Sequence, residues 1–204
     1  MTIASLGIMG GTFNPIHYGH LIAAECARVE FQLEQVIFIP ARIPPHKEDW
    51  DLLNQAERYR MVEMAVGSNP AFQVSDLEMK REGVSYTVDT LDHYCRCYPA
   101  SQIFFIMGLD SLFILDTWKD IERLTQLCRF IIVTRPGYNI NEEVQIRERL
   151  PADFWSQADF LEIPGLDISS SDIRMRVAKG KPIRYMLPET VESYIRQKYF
   201  YREG

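Results

Sequence analysis

The sequence predicts an α/β protein built on a doubly wound, mainly parallel sheet, with a small helical appendage at its C-terminus. Three observations lead there. Short apolar runs alternate with amphipathic segments, and several runs lack the in-and-out pattern of a strand with one wet face, as strands covered on both sides do. The 204 residues, 47% hydrophobic and 25% charged, suit a single domain over 1–204.

In chain order, the runs 3–9, 36–39, 72–74, 103–107, 130–133 and 160–163 read as strands. Helical patterns fall between them at 19–31, 55–66, 87–98, 118–127 and 142–150. After the last strand come two further helices, 170–179 stopped by Gly180 and 189–199 behind Pro188. They form the expected helical subdomain, about 168–204. In such sheets ligands lie beyond the carboxyl ends of the strands, so the loops after strands are the place to look for chemistry.

The net charge of −6 gives no general attraction to nucleic acid or anionic lipid, so a phosphate site has to be a local arrangement. The expected partners are small molecules, with a homo-oligomer left open. Ile3 comes two residues after Met1 without the basic and apolar regions of a signal peptide, and no apolar run reaches the roughly 18 residues of a membrane span, which points to a cytoplasmic protein. Cys26, Cys95, Cys97 and Cys128 match no common zinc spacing and read as free thiols.

The first strand runs into Gly10-Gly11-Thr12-Phe13-Asn14-Pro15, then Ile16-His17-Tyr18-Gly19-His20 and a helix. Paired glycines let a ligand approach the backbone, and the helix start offers unpaired amides and a positive dipole end. His17 and His20, three apart, share a face at the first turn, where both can donate to phosphate oxygens, more strongly when protonated. Alone, the pair also suits half of a metal site or a satisfied structural histidine. No G-K-[ST] follows, so this is not a Walker-type loop.

The whole string GGTFNPIHYGH closely resembles the H-x-G-H signature of the nucleotidyltransferase superfamily. The resemblance extends to the bacterial nicotinate-nucleotide adenylyltransferases through Pro44-Pro45-His46-Lys47, Ser85-Tyr86-Thr87, Gly108-Leu109-Asp110, Trp118-Lys119, Arg135-Pro136-Gly137 and Ile168-Ser169-Ser170-Ser171-Asp172-Ile173-Arg174. It covers nearly the whole chain. Two positions depart from the commonest pattern: Asn14, where many members have Asp, and Ser171, where Thr is common.

That resemblance implies a Rossmann-like nucleotidyltransferase fold and transfer of the adenylyl group of ATP to nicotinate mononucleotide. It implies ATP contacts from Gly10, Gly11, Thr12, Phe13, His17, His20, Gly108, Asp110, Ile168, Ser170, Ser171 and Arg174, with His17, His20, Lys47 and Arg174 catalytic. His46, Lys47, Thr87, Trp118, Lys119 and Arg135 would hold the mononucleotide, with Trp118 against the pyridine ring and Thr87 at its carboxylate. Each motif also has a plainer reading. Ser169 or Ser170 can be an N-cap, Asp110 can cap the next helix, the His46–Lys47 loop can be solvated, and Trp118 can cover the core. The stretch Thr117-Trp118-Lys119-Asp120 looks like a capping box, which would leave amides near Trp118 and Lys119 open for a carboxylate. Mg2+ is expected with the triphosphate, since no protein ligand set for it is recognisable. The rivals are a sister transferase acting on phosphopantetheine, FMN or glycerol phosphate, and a noncatalytic nucleotide-binding regulator. Length, the P-P-H-K loop and Trp118 argue against the first, and both histidines with Arg174 against the second.

Overall fold

The computed structural model describes residues 3–44, 52–136 and 146–202. Its six strands are β1 (Ser5–Gly11), β2 (Gln35–Pro40), β3 (Phe72–Val74), β4 (Gln102–Gly108), β5 (Arg129–Thr134) and β6 (Ala158–Glu162). They form one parallel sheet in the order β3-β2-β1-β4-β5-β6. The chain winds outward one way from β1 and then the other way from β4, so the switch point lies between those two strands.

The helices of the described residues are α1 (Tyr18–Glu30), α2 (Gln55–Val66), α3 (Leu77–Lys80), α4 (Thr87–Cys97), α5 (Leu109–Leu112), α6 (Ile121–Leu127), α7 (Ala152–Ser156), α8 (Ser170–Ala178) and α9 (Glu189–Gln197). Successive strand residues point to opposite faces, and here both sets are apolar. Phe38, Phe104, Ile106 and Ile131 pack on one side with Ala24 and Ala27 of α1, Met61 and Val62 of α2, Ile173 of α8, and Val191 and Ile195 of α9. Leu6, Ile8, Phe105 and Phe130 pack on the other with Val88 and Leu91 of α4, Leu124 of α6 and Phe154 of α7. Burial on both faces is the reason the runs do not alternate in the sequence.

The expected elements appear with ends shifted by a few residues, and with one larger correction. The helix expected from Trp118 begins only at Ile121. Asp120 adopts a left-handed conformation (φ 55°) and its own carboxylate caps the Arg123 N–H, while Leu115–Thr117 form a 3-10 turn. Of the helix expected at 142–150, residues 142–145 lie outside the described residues, 146–147 are helical and 148–150 form a turn and a bend. Among the described residues no helix is long and apolar enough to cross a membrane.

Candidate active site

A cavity of about 960 Å³ opens at the carboxyl ends of β1 and β4, at the switch point of the sheet. On one side stands the loop after β1. Phe13 is held in a left-handed conformation (φ 48°), with its ring against Gly11, where a Cβ would come within 3.0 Å of it. The same ring meets His20 edge-on at 5.1 Å. His17 caps α1, and its imidazole stacks on that of His20 at 3.8 Å. The His17 main-chain N–H donates to Nδ1 of His20 (3.3 Å), which assigns the proton of a neutral His20 to Nε2.

Gly19 makes room for this pair, since a Cβ there would lie 3.0 Å from both Cε1 and Nδ1 of His17. His17 is only 6% exposed. Desolvation, helped by the nearby Arg135 charge, lowers its pKa from 6.5 to about 4. His17 is therefore neutral at neutral pH, and it faces the cavity as a hydrogen-bonding imidazole rather than as the cation that would bind phosphate more strongly.

The start of α8 is tied to the same loop. The Ser169 side chain caps the helix by accepting from the Asp172 N–H (3.1 Å). Ser170 donates to the carbonyl of Pro15 (2.8 Å), and Arg174 donates through Nη1 to the carbonyl of Asn14 (3.0 Å). Two helix N-termini thus meet at one loop, and Ile168, Ser170, Ser171 and Arg174 line the cavity with His17 and His20.

The far wall comes from the ends of β4 and β5 and from the start of α4. The carboxylate of Asp110 folds back over Gly108, with Oδ1 2.6 Å from where a Cβ would sit. Trp118 lines the cavity and also packs edge-on against Phe105 at 5.9 Å. Its main-chain N–H is taken by the Leu115 carbonyl (3.0 Å), so the open amide expected there does not exist. Lys119 pairs with Asp89 (3.2 Å) and lies over the Tyr86 ring at 4.5 Å. Thr87 opens α4 on the same wall, and Arg135 donates to Asp167 (2.8 Å).

The Cytidylyltransferase-like family matches residues 8–176. A probable nicotinate-nucleotide adenylyltransferase of Moorella thermoacetica is 50% identical over 198 residues, which cover 97% of this chain and 91% of that one. The chain belongs to the nicotinate-nucleotide adenylyltransferase family. A second member, from Desulfitobacterium hafniense (strain DSM 10664 / DCB-2), is 48% identical over 97% of this chain and 95% of its own. The fold alone is shared with Plasmodium falciparum nicotinic acid mononucleotide adenylyltransferase complexed with NaAD, at 22% identity and a TM-score of 0.77, over 97% of each chain.

Of the residues through which the chain resembles this adenylyltransferase family, the cavity gathers Gly10, Gly11, Thr12, Phe13, His17, His20, Thr87, Gly108, Asp110, Trp118, Lys119, Arg135, Ile168, Ser170, Ser171 and Arg174. His46 and Lys47 lie outside the described residues. Sequence reading passed over Glu78 and Arg58. Glu78 lines the cavity, is 6% exposed and accepts from the Thr90 hydroxyl (2.6 Å), and burial pushes its carboxyl pKa up. Arg58 is 1% exposed although it is a cation. A signal for it exists: with Met61, Val62 and Ala65 it occupies the apolar stripe of α2, where a charged residue is out of place. Among the described residues no group of three or more His, Cys, Asp or Glu is arranged to hold a metal ion.

Proposed function

We propose that this member of the family transfers the adenylyl group of ATP to nicotinate mononucleotide, releasing pyrophosphate, as a step in the making of NAD in the cytoplasm. The observation that carries the reading is the meeting of α1 and α8 at the first loop, which aims two helix N-termini, two imidazoles and an arginine into one cavity. A polyphosphate fits such a place.

In this reading the triphosphate lies against Gly10 to Phe13, His17, His20, Ser170, Ser171 and Arg174, with the adenosine at Gly108 and Asp110. The mononucleotide lies against Trp118, Thr87, Lys119 and Arg135, with His46 and Lys47 as the further residues for its phosphate. An oxygen of the mononucleotide phosphate attacks the α-phosphorus in line. The new P–O bond forms as the bond to the bridging oxygen breaks, and its electron pair leaves with pyrophosphate. The attacking oxygen is already anionic, so no general base is needed, and the residues align two anions and offset their charge. His17 does this as a neutral donor. Mg2+ enters as part of the ATP substrate, bound by its phosphates.

Release of pyrophosphate from ATP and Mg2+ with nicotinate mononucleotide, nicotinamide mononucleotide or phosphopantetheine as acceptor tests the reading. Nicotinate mononucleotide is expected to be preferred. Preference for phosphopantetheine contradicts it.

A further inference from the structure

Arg58 lies beneath the cavity wall, and its guanidinium donates to three backbone carbonyls from three separate segments. Nη1 donates to Thr12 (2.7 Å), Nη2 to Arg42 (3.1 Å) and Nε to Leu53 (3.0 Å). Burying an arginine is costly, and apolar residues fill such positions more cheaply. Desolvation lowers the pKa of this one to about 10. What the guanidinium provides that an apolar residue cannot is a rigid planar fork able to hold several acceptors at fixed separation.

Each acceptor leads into the site. Thr12 belongs to the loop after β1, and with its carbonyl turned to Arg58 the planar trans peptide directs the Phe13 N–H the opposite way. Thr12 and Phe13 line the cavity. Arg42 leads to the other wall. Its N–H donates to Oγ of Ser85 (2.9 Å), and the Ser85 N–H donates to the carbonyl of Ile43 (3.0 Å), so the segment entering α4 at Tyr86 and Thr87 is registered against the same guanidinium. The Leu53 N–H donates to Oδ1 of Asn14 (3.4 Å), which also accepts from the hydroxyl of Tyr201 (2.8 Å).

We propose that Arg58 is a positioning residue for adenylyl transfer. It sets the separation between the loop that receives the triphosphate and the wall that receives the mononucleotide, and with it the alignment of the attacking oxygen on the α-phosphorus. The inference rests on the two-substrate reading above. Each wall keeps its own groups when Arg58 is replaced, so each substrate still binds. What is lost is their register, and in-line transfer is sensitive to displacements of about 1 Å.

The test compares Arg58→Lys, which keeps the charge but loses the fork, with wild type and with Ile195→Val, a core change on α9, which packs against the helix that carries Arg58. Melting temperature, kcat and both KM values are measured for each. Arg58→Lys is expected to lower kcat by at least ~30-fold with each KM within about threefold. Ile195→Val should lower the melting temperature and leave kcat within about twofold. A folded Arg58→Lys enzyme with kcat within about threefold of wild type, or a loss carried wholly by KM, overturns the proposal. If Arg58→Lys does not fold, Ser85→Ala decides, because it removes the Oγ tie from Arg42 to the start of α4 while the buried cation and the Ser85 N–H bond to Ile43 remain. A fall in kcat supports the proposal and an unchanged kcat overturns it. The wild-type acceptor preference in the same assay tests the underlying reading separately, and the kcat comparison stands on whichever acceptor the wild type uses.

Discussion

The imidazoles of His17 and His20 stack 3.8 Å apart at the first turn of α1, with 29° between their planes. His17 is buried and neutral while His20 is half-buried, its Nδ1 held by the His17 main-chain N–H. The two rings thus differ in setting: His17 faces the cavity as a buried neutral imidazole, and the His17 N–H at Nδ1 of His20 fixes the proton of a neutral His20 on Nε2.

His20→Ala should therefore lower kcat by ~10² to 10³, the range for removing one preorganised donor to developing charge. The fold should survive, since the His17 cap and the apolar face of α1 remain. Steady-state kinetics on protein with a wild-type melting temperature checks this, and a near-normal kcat removes His20 from the reaction.

His17 makes stability depend on pH. Its folded pKa, about 4, lies below the ordinary 6.5, so the unfolded chain binds the proton more readily. Its contribution is complete above pH 6.5 and is lost as pH falls toward 4. The 2.5-unit difference corresponds to about 3 kcal/mol at most. Glu78 acts in the opposite sense, because burial raises its carboxyl pKa. The difference between wild type and His17→Gln isolates the histidine: the mutant's stability should vary less from pH 7 to 4.5 in urea unfolding. Parallel curves contradict the burial account.

Gly19→Ala separates activity from stability. Alanine favours a helix by roughly 0.5–1 kcal/mol over glycine, yet its Cβ would press on the His17 ring at 3.0 Å. We expect a melting temperature equal to or above wild type and a kcat reduced ~3- to 10-fold as the ring pair shifts by a few tenths of an ångström. An unchanged kcat contradicts the placement of the pair at the reaction.

The sheet was readable because its strands are buried on both faces, so apolar runs such as 103–107 and 130–133 stand out without alternation. The helix near Trp118 was not readable, because Thr117 and Asp120 both look like caps. Thr117 instead turns its hydroxyl to the Ile114 carbonyl (2.6 Å). The helices Leu77–Lys80, Leu109–Leu112 and Ala152–Ser156 span about one turn each, too short for a period to show. Many of the cavity-lining residues were readable as motif clusters after strands, but Glu78 was not. For Arg58 the misplaced charge on α2 was legible but its partners were not, because its acceptors at Thr12 and Arg42 are distant in sequence and adjacent only in the fold.

Trp118→Ala should raise KM for the mononucleotide several-fold to tens-fold, from loss of one aromatic partner worth about 0.5–1.5 kcal/mol beyond area. KM for ATP should move little. The indole also braces Phe105, so stability should fall as well, and Trp118→Phe should restore most of both. Because the Trp118 amide is already bonded, preference for the acid over the amide should persist in Trp118→Ala and depend on the α4 start at Thr87. A larger change in the KM for ATP than for the acceptor contradicts this placement.

The central claim is the transfer of an adenylyl group, and labelled ATP tests it most directly. With nicotinate mononucleotide and Mg2+, label in the α-phosphate should appear in the dinucleotide product and label in the γ-phosphate in pyrophosphate. Label from the γ-phosphate in the acceptor product, or no labelled product with this acceptor, would contradict the account.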